Sequence, residues 1–223
     1  MKNPIYLIIL LALGLVVVAY GWISSRRDAE AARESVATAT TTYSDIMTRC
    51  SVRAYSDRKV SEEQVDSLLR AAMAAPSAAN KQPWRFVVVN DRKTLDFIAS
   101  NFKSMTMMSN AALAIVVCGD MKSTLEGEGV DYWVQDTSAA TENLLLAAHA
   151  MGLGAVWCGV YPMTDRVKIF SELLHLPADI VPLNCIAIGW PEGETEPKDK
   201  WDRAHVHYNT WDGAPATLDA AAE

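Results

Sequence analysis

The chain has 223 residues, half of them apolar and 21% charged, which excludes a disordered chain and allows one globular domain with a sizeable core. The formal net charge of −7 argues against nucleic acid as a partner.

The first element is the run from Ile5 to Ile23, 19 residues without a charge. As a helix it would be about 28 Å long, close to the hydrocarbon thickness of a bilayer. Tyr20 and Trp22 stand where an interfacial aromatic belt would place them. Residues 1–23 are therefore expected to anchor the protein in a membrane. The alternative is an exported protein whose signal is cleaved near Ala19 and Gly21. The charges on the two flanks nearly balance, so the side of the membrane is not readable. Residues 24–42 are rich in alanine and threonine and read as a linker. A domain over residues 43–214 and a short tail over 215–223 complete the plan.

Within the domain, Ser61 and Gln64 form a capping box ahead of Val65, Leu68, Leu69, Ala72 and Met73. That spacing is one apolar helix face, ended by Pro76. A buried strand is expected over 85–90, a helix over 94–108, and a second buried strand over 113–119. A long helix follows over 131–151, closed by Gly152. A short strand over 155–160, a helix over 164–176 with Thr164 as its cap, and a last strand over 184–190 come next. Alternating strands and helices define a mixed α and β class.

Several familiar chemistries are missing. There is no GxGxxG after a strand, no Walker loop and no GxSxG elbow. His205 and His207 alternate in an extended segment and read as a surface pair rather than metal ligands. The four cysteines show no CxxC spacing, and Cys118 and Cys185 lie inside apolar runs as buried thiols would. Three stretches remain. "RCSVRAY" puts Arg49, Ser51 and Arg53 at alternate positions around Cys50, so an extended backbone turns two guanidiniums and a hydroxyl to one side, as a phosphate requires. "EPKDKW" offers Lys198 and Lys200 at the same spacing. "APSAANKQPW" spends ten residues on an uncharged polar loop bracketed by Pro76 and Pro83.

In the order "RCSVRAY … APSAANKQPWRF … GLGAVWCGVY … IAIGWPEGETEPKDK" the chain resembles the nitroreductase-like family of FMN-dependent oxidoreductases, from about Tyr43 to Trp211. The resemblance implies an α+β fold, a mixed sheet flanked by helices, in an intertwined homodimer with FMN at the interface. It implies that Arg49, Cys50, Ser51 and Arg53 hold the phosphate and the polar edge of the flavin, completed by Lys198 and Lys200. The family commonly has arginine at the position of Lys200, and lysine lacks its bidentate fork. From the other subunit, Pro76, Ser77, Ala78 and Asn80 would line the ring. Gln82 would fix that loop, and Trp84 would pack beneath it. The backbone amides of Trp157, Cys158, Gly159 and Val160 would face N5 and O4. No side chain is required as a general acid, and Cys158 is not expected to be a redox group. The activity implied is hydride transfer from NAD(P)H or another reduced donor, through FMN, to a nitroaromatic, quinone or similar small-molecule acceptor. Tyr132 and Trp133 are candidates to stack on that acceptor, with core packing as the competing role. The alternative is a tethered flavoprotein that relays electrons without turnover of its own.

Overall fold

In a computed structural model the described residues are 41–211, together with Tyr20 and Gly213. After a helical stretch over 41–48 come α1 (Glu62–Met73), β1 (Trp84–Val89), α2 (Arg92–Asn101), β2 (Leu113–Asp120), α3 (Tyr132–Ala150), β3 (Gly154–Gly159), α4 (Thr164–Leu173) and β4 (Ile180–Gly189). The sheet order is β1-β2-β4-β3, and every neighbouring pair is antiparallel. The expected mixed sheet is corrected accordingly. Among the described residues the parallel pairing is an isolated bridge between Ser51 and Ala155.

Helices cover both faces of the sheet, which explains why β2 is buried along its whole length. Alternate residues divide between two cores. Ala114, Val116, Cys118, Val156, Cys185 and Ala187 face Leu95, Ile98, Phe102, Met105 and Phe170. Leu113, Ile115, Val117, Ala155, Ile186 and Ile188 face Leu68, Ala72, Leu144 and Ala148.

The capping box forms as expected: Ser61 Oγ accepts from Gln64 N at 3.2 Å, and Gln64 Oε1 accepts from Ser61 N at 3.0 Å. The helix expected over 94–108 divides. Asp91 caps α2 by accepting from Thr94 N, and the backbone turns extended at Phe102 before a 3-10 segment, Lys103–Ser109. The division lets Phe102, Met105 and Met108 all turn into the core. Met163, not Thr164, is the residue before α4. β4 begins at Ile180, four residues earlier than its apolar run, because it must pair with β2 as far as Asp120.

Among the described residues no helix is long and apolar enough to cross a membrane. The longest, α3, spans 19 residues but carries Asp136 and Glu142. The expected membrane localisation is corrected on this finding. The segment 5–23 on which it rested lies outside the described residues, Tyr20 excepted, as does most of 24–42.

Candidate functional site

The helix α3 ends where Gly152 takes φ +73, letting Gly152 N and Leu153 N bond back to His149 O and Ala148 O. The chain then enters β3 at Gly154. A Cβ there would lie 2.6 Å from Val52, and one at Gly189, its partner across the sheet, 2.9 Å from Tyr55. The two glycines thus make the room in which Val52 and Tyr55 seat the 49–55 segment. Tyr55 locks it: its hydroxyl donates to Val52 O at 2.6 Å, with Ala187 O at 3.2 Å. Burial raises the Tyr55 pKa well above the ordinary value.

Val52 N donates to Ala155 O at 3.1 Å. Ala155 therefore turns its backbone groups away from β4, and the period of two turns those of Trp157 and Gly159 to the same outer edge. Arg166 confirms the direction by donating to Gly159 O at 2.7 Å. Cys158 faces β4, and Val160 N is already bonded to Leu183 O at 3.0 Å. Of the four expected amides, Trp157 and Gly159 are the two at the free edge. A Cβ at Gly159 would meet nothing within 4 Å.

The same edge carries "RCSVRAY". Val52 is buried while Ser51 and Arg53 are exposed, so the expected alternation holds there. Arg49 is largely buried, and its Nε donates to Glu142 at 3.1 Å, an ion pair on α3. Cys50 is partly buried. Arg53 is close enough to act on Cys158, although burial dominates and lifts that thiol to about 11.

The polar loop is held separately. Ser77–Gln82 includes a single 3-10 turn, with Ala79, Asn80 and Gln82 at φ +46, +55 and +50. Gln82 Nε2 donates to Asn80 Oδ1 at 2.8 Å, and Gln82 N to Ser77 Oγ at 3.0 Å. Pro76 and Asn80 are exposed, and Ser77 and Ala78 half-buried. Trp84 is buried in the core, as expected of a packing residue. Among the described residues no hydrogen bond or ion pair joins this loop to Arg49, Ser51 or Arg53. Lys198 and Lys200 lie exposed in the segment after β4, and among the described residues no hydrogen bond or ion pair joins them to Arg49.

Four residues of the site were missed in the sequence. Asp136 is buried and accepts from Ala78 N at 2.9 Å, tying the loop to α3. Its signal was available: it heads a row with Ala140, Leu144 and Ala148, four residues apart and all buried. Glu142 and His149 are also on α3, and their partners, Arg49 and Thr48, are about a hundred positions away, so neither could be read locally. Asn184 is opposite Gly159 in the sheet. Its Nδ2 donates to Thr141 Oγ1 at 3.0 Å, while its fully buried Oδ1 has no partner. Trp133 is buried edge-on to Tyr161, whereas Tyr132 is exposed. A larger cavity of about 850 Å³, lined by Asp57, Arg58, Asn90 and Arg92 among others, is formed by none of the expected site residues.

An antiparallel sheet between two helical layers, with a cationic segment laid along its β3 edge, defines an α+β domain rather than a doubly wound parallel one. The nitroreductase family model matches residues 46–106 and 95–190, and the chain belongs to that family. It is 47% identical over 169 residues to a protein of Archaeoglobus fulgidus with the provisional name NADH dehydrogenase/NAD(P)H nitroreductase, a match covering 74% of this chain and 96% of that one. A similarly named Parabacteroides distasonis crystal structure superposes with a TM-score of 0.73 at 46% identity, covering 77% of this chain and 99% of the other. A Desulfovibrio desulfuricans nitroreductase solved in complex with FMN is 33% identical, with a TM-score of 0.58 over 70% of this chain and 91% of that one.

Proposed function

We propose that the chain is a homodimeric oxidoreductase in which Arg49, Ser51 and Arg53 hold the phosphate and polar edge of FMN against the outer edge of β3. The cofactor is FMN and the electron donor NAD(P)H. The acceptor is a nitroaromatic, a quinone or a similar small molecule. When bound, FMN supplies the hydride chemistry, and the protein supplies binding and orientation.

One observation carries this reading: Ser51 and Val52 lie along β3, so guanidiniums, a hydroxyl and the amide edge of Trp157 and Gly159 share one side of the sheet. The open space at Gly159 fits a flat ring brought close to the backbone. Edge amides aimed at N5 and O4 favour the negative charge of the reduced ring. The Nε–Glu142 bond leaves the Nη edge of Arg49 for phosphate oxygens. Lys198 and Lys200, exposed in the segment after β4 and not bonded to Arg49, would swing in to complete the clamp when the phosphate is bound.

The homodimer is supported by two features. Among the described residues the outer edge of β1 is unpaired in the sheet, whereas Ser51 and Val52 cover part of the β3 edge. The loop Pro76–Asn80 is tied to α3 through Asp136 and, among the described residues, has no hydrogen bond or ion pair to Arg49, Ser51 or Arg53, which supports a role in a partner's site rather than its own.

The test is flavin fluorescence titration of the full chain, freed of bound flavin, with FMN and riboflavin. Arg49→Ala and Lys200→Ala remove a charge-assisted bond worth roughly 1.5–3 kcal/mol, so FMN should bind about 10- to 150-fold more weakly with riboflavin little changed. Arg49 should matter more, through its fork. Asn80→Ala should weaken both ligands alike. Equal losses for both ligands in Arg49→Ala would remove the phosphate assignment. Sedimentation showing a monomer at full FMN occupancy would remove the dimeric site.

A further inference from the structure

At the end of α3 the Thr48 hydroxyl has two neighbours. His149 Nε2 is 2.9 Å away, and Ser44 O is 2.7 Å away. A carbonyl only accepts, so the one hydroxyl proton goes to Ser44 O. The Thr48 oxygen must then accept from the imidazole, which places a proton on Nε2. Nδ1 has no partner among the described residues. It is an acceptor when the ring is neutral and a donor when the ring is charged.

His149 and Arg49 line one cavity of about 210 Å³, joined by Thr195 from the segment after β4 and floored by the glycine turn at Gly152. The cavity therefore holds a fixed cation, a titratable one and a hydroxyl. Its size suits a phosphate group.

We propose that His149 is a phosphate-binding residue: the cavity receives the 5′-phosphate of FMN between Arg49 and the imidazolium, with the Thr195 hydroxyl as a neutral donor. The inference rests on the Arg49 clamp proposed above and adds to it a group that titrates. The charged groups near His149 are Arg49, which lines the same cavity, and its partner Glu142 two turns earlier on α3; Glu194 and Glu196 flank Thr195 in sequence and are exposed. A bound phosphate tips the balance toward the cation. By linkage, protonation of His149 then tightens FMN by the same factor.

The test uses the full chain, with FMN and riboflavin titrated from pH 5.5 to 8.5 into wild type, His149→Gln and Arg49→Ala. Glutamine keeps an N–H for Thr48 but does not titrate. The phosphate of FMN loses its second proton near pH ~6, which strengthens binding as pH rises. His149→Gln keeps that slope and isolates it. At pH 6 the glutamine variant should bind FMN about tenfold more weakly than wild type, the gap closing by pH 8, with riboflavin unchanged throughout. The same pH slope for FMN in both proteins, or equal losses for FMN and riboflavin, would overturn the assignment of His149. If Arg49→Ala loses FMN selectively while His149→Gln does not, the clamp stands and the histidine falls. If neither variant discriminates FMN from riboflavin, the clamp itself falls.

Discussion

Asp136 Oδ1 accepts the backbone N–H of Ala78 at 2.9 Å, across 58 residues of chain. The acceptor is on a rigid helix and the donor opens a loop in which three non-glycine residues adopt positive φ. Each such residue costs roughly 1–2 kcal/mol, so the loop needs anchors outside itself. Ser77 Oγ and the Gln82 amide supply two within the loop, and Asp136 supplies one to the core.

Asp136→Ala should therefore lower stability by about 1–3 kcal/mol, seen as a lower urea midpoint. It should also weaken FMN and riboflavin together, because the loop is proposed to line the ring. Asp136→Asn keeps an acceptor oxygen and should lose less of both. A destabilised Asp136→Ala that binds both flavins normally would separate the loop from the ring site.

What could be read in the sequence followed how locally each feature is determined. The capping box at Ser61, the stop at Pro76 and the glycine end of α3 depend on neighbours within a turn, and all three formed. The strands were legible as apolar runs because helices cover both faces of the sheet. Strand direction was not, since every pairing is set by partners distant in sequence. The break after Asn101 was hidden because Phe102, Met105 and Met108 keep a helical apolar spacing while the backbone leaves the helix. Arg49 was legible as a cation but not as Glu142's partner. The Ile5–Ile23 reading shows the limit of apolar length alone: it named a location that the described helices do not support.

The buried thiols give the protein an alkaline weakness. Burial raises Cys158 to about 11 and Cys118 to about 12, and sets Cys185 well above the ordinary 9.0. An unfolded chain ionises its thiols near 9.0, so above that pH it binds fewer protons than the native state. Stability from these groups is complete below pH 9 and is lost as pH rises through the folded values. The urea midpoint should fall from pH 9 to 11. Cys118→Ala/Cys158→Ala, though weaker at pH 7, should show a shallower fall. At pH 8 in the native protein, iodoacetamide should reach the partly buried Cys50 before the other three cysteines. An unchanged slope in the double variant would assign the alkaline loss to other groups.

Gly154 and Gly159 begin and end the same strand, yet their hydrogens face different things. A Cβ at Gly154 would lie 2.6 Å from Val52 Cγ1 and 2.7 Å from Val52 Cβ, branched atoms that cannot swing aside. Gly154→Ala should cost about 1–3 kcal/mol through overpacking, a fall of roughly 2–12 °C in Tm for a chain of this size. Gly159 has no such neighbour and no positive φ. Gly159→Ala should leave Tm unchanged or raise stability by roughly 0.4–1 kcal/mol, because alanine loses less conformational freedom on folding. If the flavin ring uses that space, the added methyl group meets the ring instead. FMN and riboflavin should then both bind about tenfold more weakly, a cost of ~1.4 kcal/mol. Thermal unfolding and flavin titration of the two variants separate folding from binding at two ends of one six-residue strand. Wild-type flavin affinity in Gly159→Ala would move the ring away from the β3 edge, whatever holds its phosphate.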